Sequence, residues 1–174
     1  MAVCNDLQSI GELNTNAPGT GTCRPREDPA TLAESLRERL AEGGFDWDQP
    51  TMFSWLGVTP YLSVDAIEET LRTMSSCAPG SEVVFTYAPP QILLDEDDRE
   101  SVAIVAREAE RSTEPLRSFF VPEEIVEIVA RCGLHVADHA DRDDLIRRYF
   151  ADRGDGLEPW GVAHIVAAVV PLPR

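Results

Sequence analysis

Four residues of this chain stand at the ends of apolar runs, where an α/β sheet presents side chains to a ligand. Gly57 and Tyr61 follow the run at 52–56, Trp55 lies just ahead of the glycine, and Tyr87 closes the run at 82–87. Ligands of open α/β sheets collect at the carboxyl ends of the strands, in the crevice where cofactor and substrate meet. Tyr61 can hydrogen-bond to a ligand there or stack on it, and Tyr87 occupies the equivalent position one strand over. Trp55 has two readings, an aromatic wall of the crevice or a core residue packed on the following helix.

Other chemistry-bearing groups are weaker. His135, Asp138 and His139 resemble a metal-ligand set. In a regular strand, residues 135 and 139 face the same side but stand too far apart to share an ion unless the chain bends. Asp141, Asp143 and Asp144 read as capping or solvated residues of a helical turn, so no metal site is expected. Arg147 and Arg148 beside Tyr149 could meet an anion, although arginines near a helix end commonly satisfy its dipole. No catalytic residue is assigned: the chain lacks GxGxxG, Walker, HExxH and GxSxG patterns. Gly19 and Gly21 have no strand before them and read as turn glycines. The four cysteines, at 4, 23, 77 and 132, form no CxxC pair. They make neither a disulfide scaffold nor a zinc knuckle, and Cys77 and Cys132 read as small apolar residues.

The elements that must carry these residues follow from pattern and composition. Hydrophobic residues make up 43% of the 174, enough for one domain with a real core. Arginine and lysine total 15 against 31 acidic residues, a net charge of -16. That balance disfavours a nucleic-acid backbone or an anionic membrane as partner. With no secretory signal, and no apolar run near the roughly 20 residues of a membrane span, a cytoplasmic protein is expected. Residues 1–27 are rich in Gly, Asn, Thr and Pro and read as a disordered or irregular segment, leaving 28–174 as the domain. Leu32, Leu36 and Leu40 predict a helix over 31–42, stopped by Gly43 and Gly44. Residues 52–56 predict a strand. Ser63 caps a helix carrying Ile67, Leu71 and Met74, with Ala66 where a full capping box has glutamate. The mostly apolar run 82–87 predicts a parallel strand covered on both faces. Helices follow over 95–111 and from Pro122, then a strand at 134–137, a short helix or turn at 141–150, and a last strand at 164–170.

Several of these segments carry a family resemblance. FSWLGVTPYL (53–62), SEVVFTY (81–87), EPLRSFFVPEEI (114–125), RYFADRGDGL (148–157) and HIVAAVV (164–170) resemble bacterial S-adenosylmethionine-dependent methyltransferases related to the leucine carboxyl methyltransferases. The resemblance is read over residues 28–172 and as the C-terminal portion of the family only. It implies a partial class I methyltransferase fold, a Rossmann-like sheet with strands 4-5-7-6 of the order 3-2-1-4-5-7-6 and flanking helices. Strands 1 to 3, with the glycine-rich loop and the ribose-binding acidic residue, would then be missing. It further implies S-adenosyl-L-methionine as cofactor, Gly57 as a cofactor-binding position, and Tyr61 and Tyr87 as substrate-binding positions. The family commonly has a glutamate before this glycine, and the chain has Leu56.

Three functions follow as expectations. One is methyl transfer to an oxygen, such as a carboxylate on a small molecule or peptide. Another is a non-catalytic truncated remnant, or half of a split enzyme, acting through self-association at an exposed strand edge or through a partner chain. The third is an unrelated α/β interaction module.

Overall fold

The computed structural model describes residues 29–111 and 115–173. The expectation of an irregular segment over 1–27 lies outside the described residues. Helix α1 (Pro29–Glu42) precedes strand β1 (Met52–Trp55), a 3-10 turn (Thr59–Tyr61) and helix α2 (Val64–Ser75). Then come β2 (Glu82–Tyr87), α3 (Glu96–Arg111), α4 (Pro122–Arg131), β3 (His135–Ala140), α5 (Arg142–Leu145) and β4 (His164–Val169). A wide helical turn, Ile146–Phe150, continues α5.

The strands form a 4-stranded sheet in the order β1-β2-β4-β3. β1 and β2 are parallel, as a crossover through α2 requires. β4 runs antiparallel to both of its neighbours. Phe53, Trp55, Val83, Phe85, Tyr87, Val166 and Ala168 point to one face and meet Ile67, Leu71 and Met74 of α2 and Ile125, Ile128 and Val129 of α4. The expectation that β2 is covered on both faces is corrected: its burial alternates, with Glu82, Val84 and Thr86 only half-buried. The helices concentrate on the face bearing the larger side chains.

Local signals set most boundaries. α1 ends where Phe45 N–H reaches back to Leu40 C=O at 2.9 Å over Gly44, whose φ of 78° suits glycine. Arg37 of α1 lies 4.4 Å from the Trp47 ring centroid and donates to Ser76 Oγ at 3.0 Å, fastening α1 to the end of α2. Ser63 Oγ accepts the Ala66 N–H at 3.3 Å, the cap read from sequence. Ser63→Ala should lower stability by about 1 kcal/mol, seen as a reduced urea midpoint at constant m-value.

β3 departs from expectation. Expected over 134–137, it runs over His135–Ala140, with a bulge between Val136 and Asp138. His135 pairs with Val169 and His139 with Val166, an odd offset along β4. The two histidines therefore face opposite sides of the sheet, not the same side, because the bulge inserts one residue into the strand's period of two.

Candidate functional site

Gly57, Tyr61 and Tyr87 line one pocket at the carboxyl ends of β1 and β2, together with Val102, Phe119 and Trp160. Its volume is about 110 Å³. The turn after β1 is hooked to the end of β2. Gly57 N–H donates to Thr86 Oγ1 at 2.7 Å, and Thr59 Oγ1 donates to Thr86 C=O at 2.6 Å. Gly57 has φ of +73°, and a Cβ built on it would meet nothing within 4 Å, so the loop backbone stands open. The segment before α4 closes over this turn. Ser118 N–H bonds Pro60 C=O at 3.2 Å, Ser118 Oγ donates to Leu62 C=O, and Phe120 N–H bonds Ala88 C=O at 3.0 Å.

Tyr87 is 1% exposed, and its hydroxyl meets two imidazoles, His139 Nε2 at 2.8 Å and His164 Nδ1 at 3.1 Å. Sheet geometry makes this cluster. Tyr87 and His164 are direct partners in the β2–β4 register, and the bulge turns His139 toward them. Burial pushes the Tyr87 phenol far above its ordinary range, and Glu123 and Asp141 push the same way. The hydroxyl thus keeps its proton, which it can donate to one ring nitrogen while accepting from the other. Burial holds the His164 imidazolium down, His139 adds to this, and Asp141 opposes it.

His164 also lines a second, more polar pocket of about 380 Å³ with Asp95, Asp98, Asp141 and Arg142. There Arg142 reaches Glu158 at 2.6 Å and Pro159 C=O at 3.3 Å. Gly161 N–H donates to Asp98 Oδ1 at 3.3 Å, so α3 and α5 together hold the strap leading into β4.

The other candidates lie apart from the pocket. Trp55 is 2% exposed, 6.1 Å from the Phe85 ring, with no partner for its indole N–H, so the core reading is the one realised. Arg147 pairs with Asp144, and Arg148 with Asp138 at 3.1 Å through Nη2. Among the described residues no group of His, Cys, Asp and Glu could hold a metal ion, and no helix is long and apolar enough to cross a membrane. Cys77 and Cys132 are buried free thiols, Cys77 raised by burial to about 11. His164 and Asp98 went unnoticed in the sequence. A histidine opening the last strand was the available signal, but its pairing with Tyr87 depends on strand order.

The leucine carboxyl methyltransferase family model matches residues 7–75. The Putative S-adenosyl-L-methionine-dependent methyltransferase YktD of Bacillus subtilis (strain 168) is 30% identical over 161 residues, 92% of this chain and 52% of its own length. The chain resembles S-adenosylmethionine-dependent methyltransferases over most of its length. In fold it is similar to a duf574 family protein from Streptomyces avermitilis, with a TM-score of 0.58 and 17% identity, over 83% of this chain and 53% of that one. The chain thus spans about half the length of each.

These matches correct the reading that the resemblance begins at residue 28 and concerns the C-terminal portion of the family only. The family-model match lies at this chain's amino-terminal end and takes in residues 7–27. Turn-forming composition describes local backbone preference, and it does not separate a segment from the family around it. The fold itself, a mixed sheet with flanking helices, fits a partial Rossmann-like class I methyltransferase.

Proposed function

We propose that this protein serves S-adenosylmethionine-dependent methyl transfer to an oxygen nucleophile. The observation that carries this reading is the open glycine turn after β1 bordering a pocket whose other walls include Tyr61 and Tyr87. The similarity to YktD and to the leucine carboxyl methyltransferase family model supports it. So does the neighbour order β1-β2-β4-β3, which we read as positions 4, 5, 7 and 6 of the order 3-2-1-4-5-7-6.

The residues present fit one side of such a cofactor: the Gly57 backbone, uncovered by any side chain, admits close approach. When bound, S-adenosylmethionine supplies a methyl group activated by the sulfonium. The chain's part is to place the acceptor and exclude water, since alignment of the reacting atoms supplies much of the rate. Gly57 borders the cofactor; Tyr61 and Tyr87 border the acceptor.

A second reading is favoured by the outer edge of β1, which has no strand partner among the described residues. Through that edge a second copy or another chain would complete the cofactor wall, as in a split enzyme.

Isothermal calorimetry with S-adenosylmethionine and S-adenosylhomocysteine, at several protein concentrations and alongside sedimentation, tests both readings. One-to-one binding by a monomer supports the first, and binding that appears only with a dimer supports the second. Absence of binding by folded protein refutes autonomous methyl transfer and leaves a non-catalytic remnant or a half awaiting its partner.

A further inference from the structure

We propose that the pocket beside Gly57 receives an uncharged single-ring molecule, so that the methyl acceptor is a neutral hydroxyl compound rather than a carboxylate. The acceptor half of this statement rests on the methyl-transfer reading above; the binding half does not.

Size is the first argument. An engineered apolar cavity of roughly 150 Å³ admits benzene. The pocket here is about 110 Å³ and opens outward, so one ring fits with its substituent toward the mouth. Its walls suit a ring. Val102 is buried on one side, and the more exposed Phe119 (37%) and Trp160 (50%) stand at the mouth. Aromatic side chains so placed pack edge-to-face or offset on a ligand ring.

Charge is the second. All 15 cationic side chains of the sequence are arginine, and among the described residues none lines this pocket. Arg142, the cation of the neighbouring polar pocket, is held by Glu158 and Pro159 C=O. A carboxylate entering here would give up water with no counter-charge, which is costly. The net charge of -16 repels anions at longer range as well. A neutral hydroxyl meets the Tyr61 and Thr86 side chains instead. In the transfer, the acceptor oxygen forms its bond to the methyl carbon as the carbon–sulfur bond breaks. That bond's electron pair returns to sulfur, S-adenosylhomocysteine departs, and the hydroxyl proton passes to solvent at the mouth.

Phenol and benzoate, titrated separately at pH 7.5 into the full chain and followed by NMR chemical shifts, make the comparison. Phenol should bind at least about tenfold more tightly than benzoate. Val105→Trp, which fills the pocket from α3, should abolish phenol binding. Phe119→Ala, a milder change at the mouth, should weaken it about threefold while leaving the urea midpoint in place. Benzoate binding as tightly as phenol, or phenol binding unmoved by both variants, would overturn the proposal. Phenol binding without any cofactor binding would sustain the pocket assignment and sink the methyl-transfer reading alone. Cofactor binding with benzoate preferred would do the reverse.

Discussion

Tyr87→Ala is expected to cost about 3–5 kcal/mol, a large part of the stability of a domain this size. The ring is almost wholly buried, packed against Phe120 with centroids 6.5 Å apart and against both imidazoles. Removing it opens a cavity at the junction of β2, β4 and β3, where the surrounding backbone cannot easily collapse. Tyr87→Phe separates packing from hydrogen bonding. It keeps the ring and leaves the nitrogens of His139 and His164 without the hydroxyl, at a cost of about 1–3 kcal/mol. Urea unfolding of both variants reads the difference, and equal midpoints for Tyr87→Phe and wild type would refute the role given to the hydroxyl.

The same cluster predicts a pH dependence. His164 sits below its ordinary pKa in the folded state because of burial and His139, with Asp141 opposing. Between that depressed value and about 6.5 the unfolded chain binds more protons than the folded one. The contribution of neutral His164 is therefore complete above about pH 6.5 and is lost as pH falls toward the folded value. Stability should decline as pH falls below about 6.5, and His164→Gln should flatten that decline. The carboxylates of Glu68, Asp138 and Asp144 are held below their ordinary range by their arginine partners, so their loss belongs to more acid conditions.

Gly161→Ala is the second large effect, about 1–3 kcal/mol from overpacking. A Cβ there would lie 1.8 Å from Asp98 Oδ2 and 2.8 Å from Arg142 Cδ. Asp98 is buried and short, so it can yield only by giving up its bond to the Gly161 amide. The strap carrying Trp160 and Val162 would lift, loosening one wall of the apolar pocket. A double-mutant cycle decides whether the cause is steric: with Asp98→Ala in place, Gly161→Ala should become markedly less harmful. Strict additivity would defeat this account.

Much of the scaffold was readable because it rests on local signals. The Ser63 cap, the glycine stop after α1 and the bounds of β2 depend on a few neighbouring residues each. Gly57, Tyr61 and Tyr87, singled out as strand-end residues, do come together in one pocket, because the ends of adjacent strands open on the same side of a sheet. What stayed hidden depends on pairing between distant segments. The bulge in β3 broke the alternation from which residues 135 and 139 were placed on one face, and the partnership of Tyr87 with His164 exists only through the β2–β4 register. Residues 7–27 show the opposite failure, where a clear local composition concealed a family match.

The bulge also governs how this sheet can grow. Among the described residues its outer strands are β1 and β3. β3 is kinked within its length and carries Asp138, tied to Arg148, both devices that discourage another strand from docking. An open filament of copies would need β1 of one molecule to meet β3 of the next. With β3 blunted, two copies pairing through their described strands would join β1 to β1, an isologous contact about a two-fold axis that consumes both edges. A pair of copies joined in that way would close at two subunits.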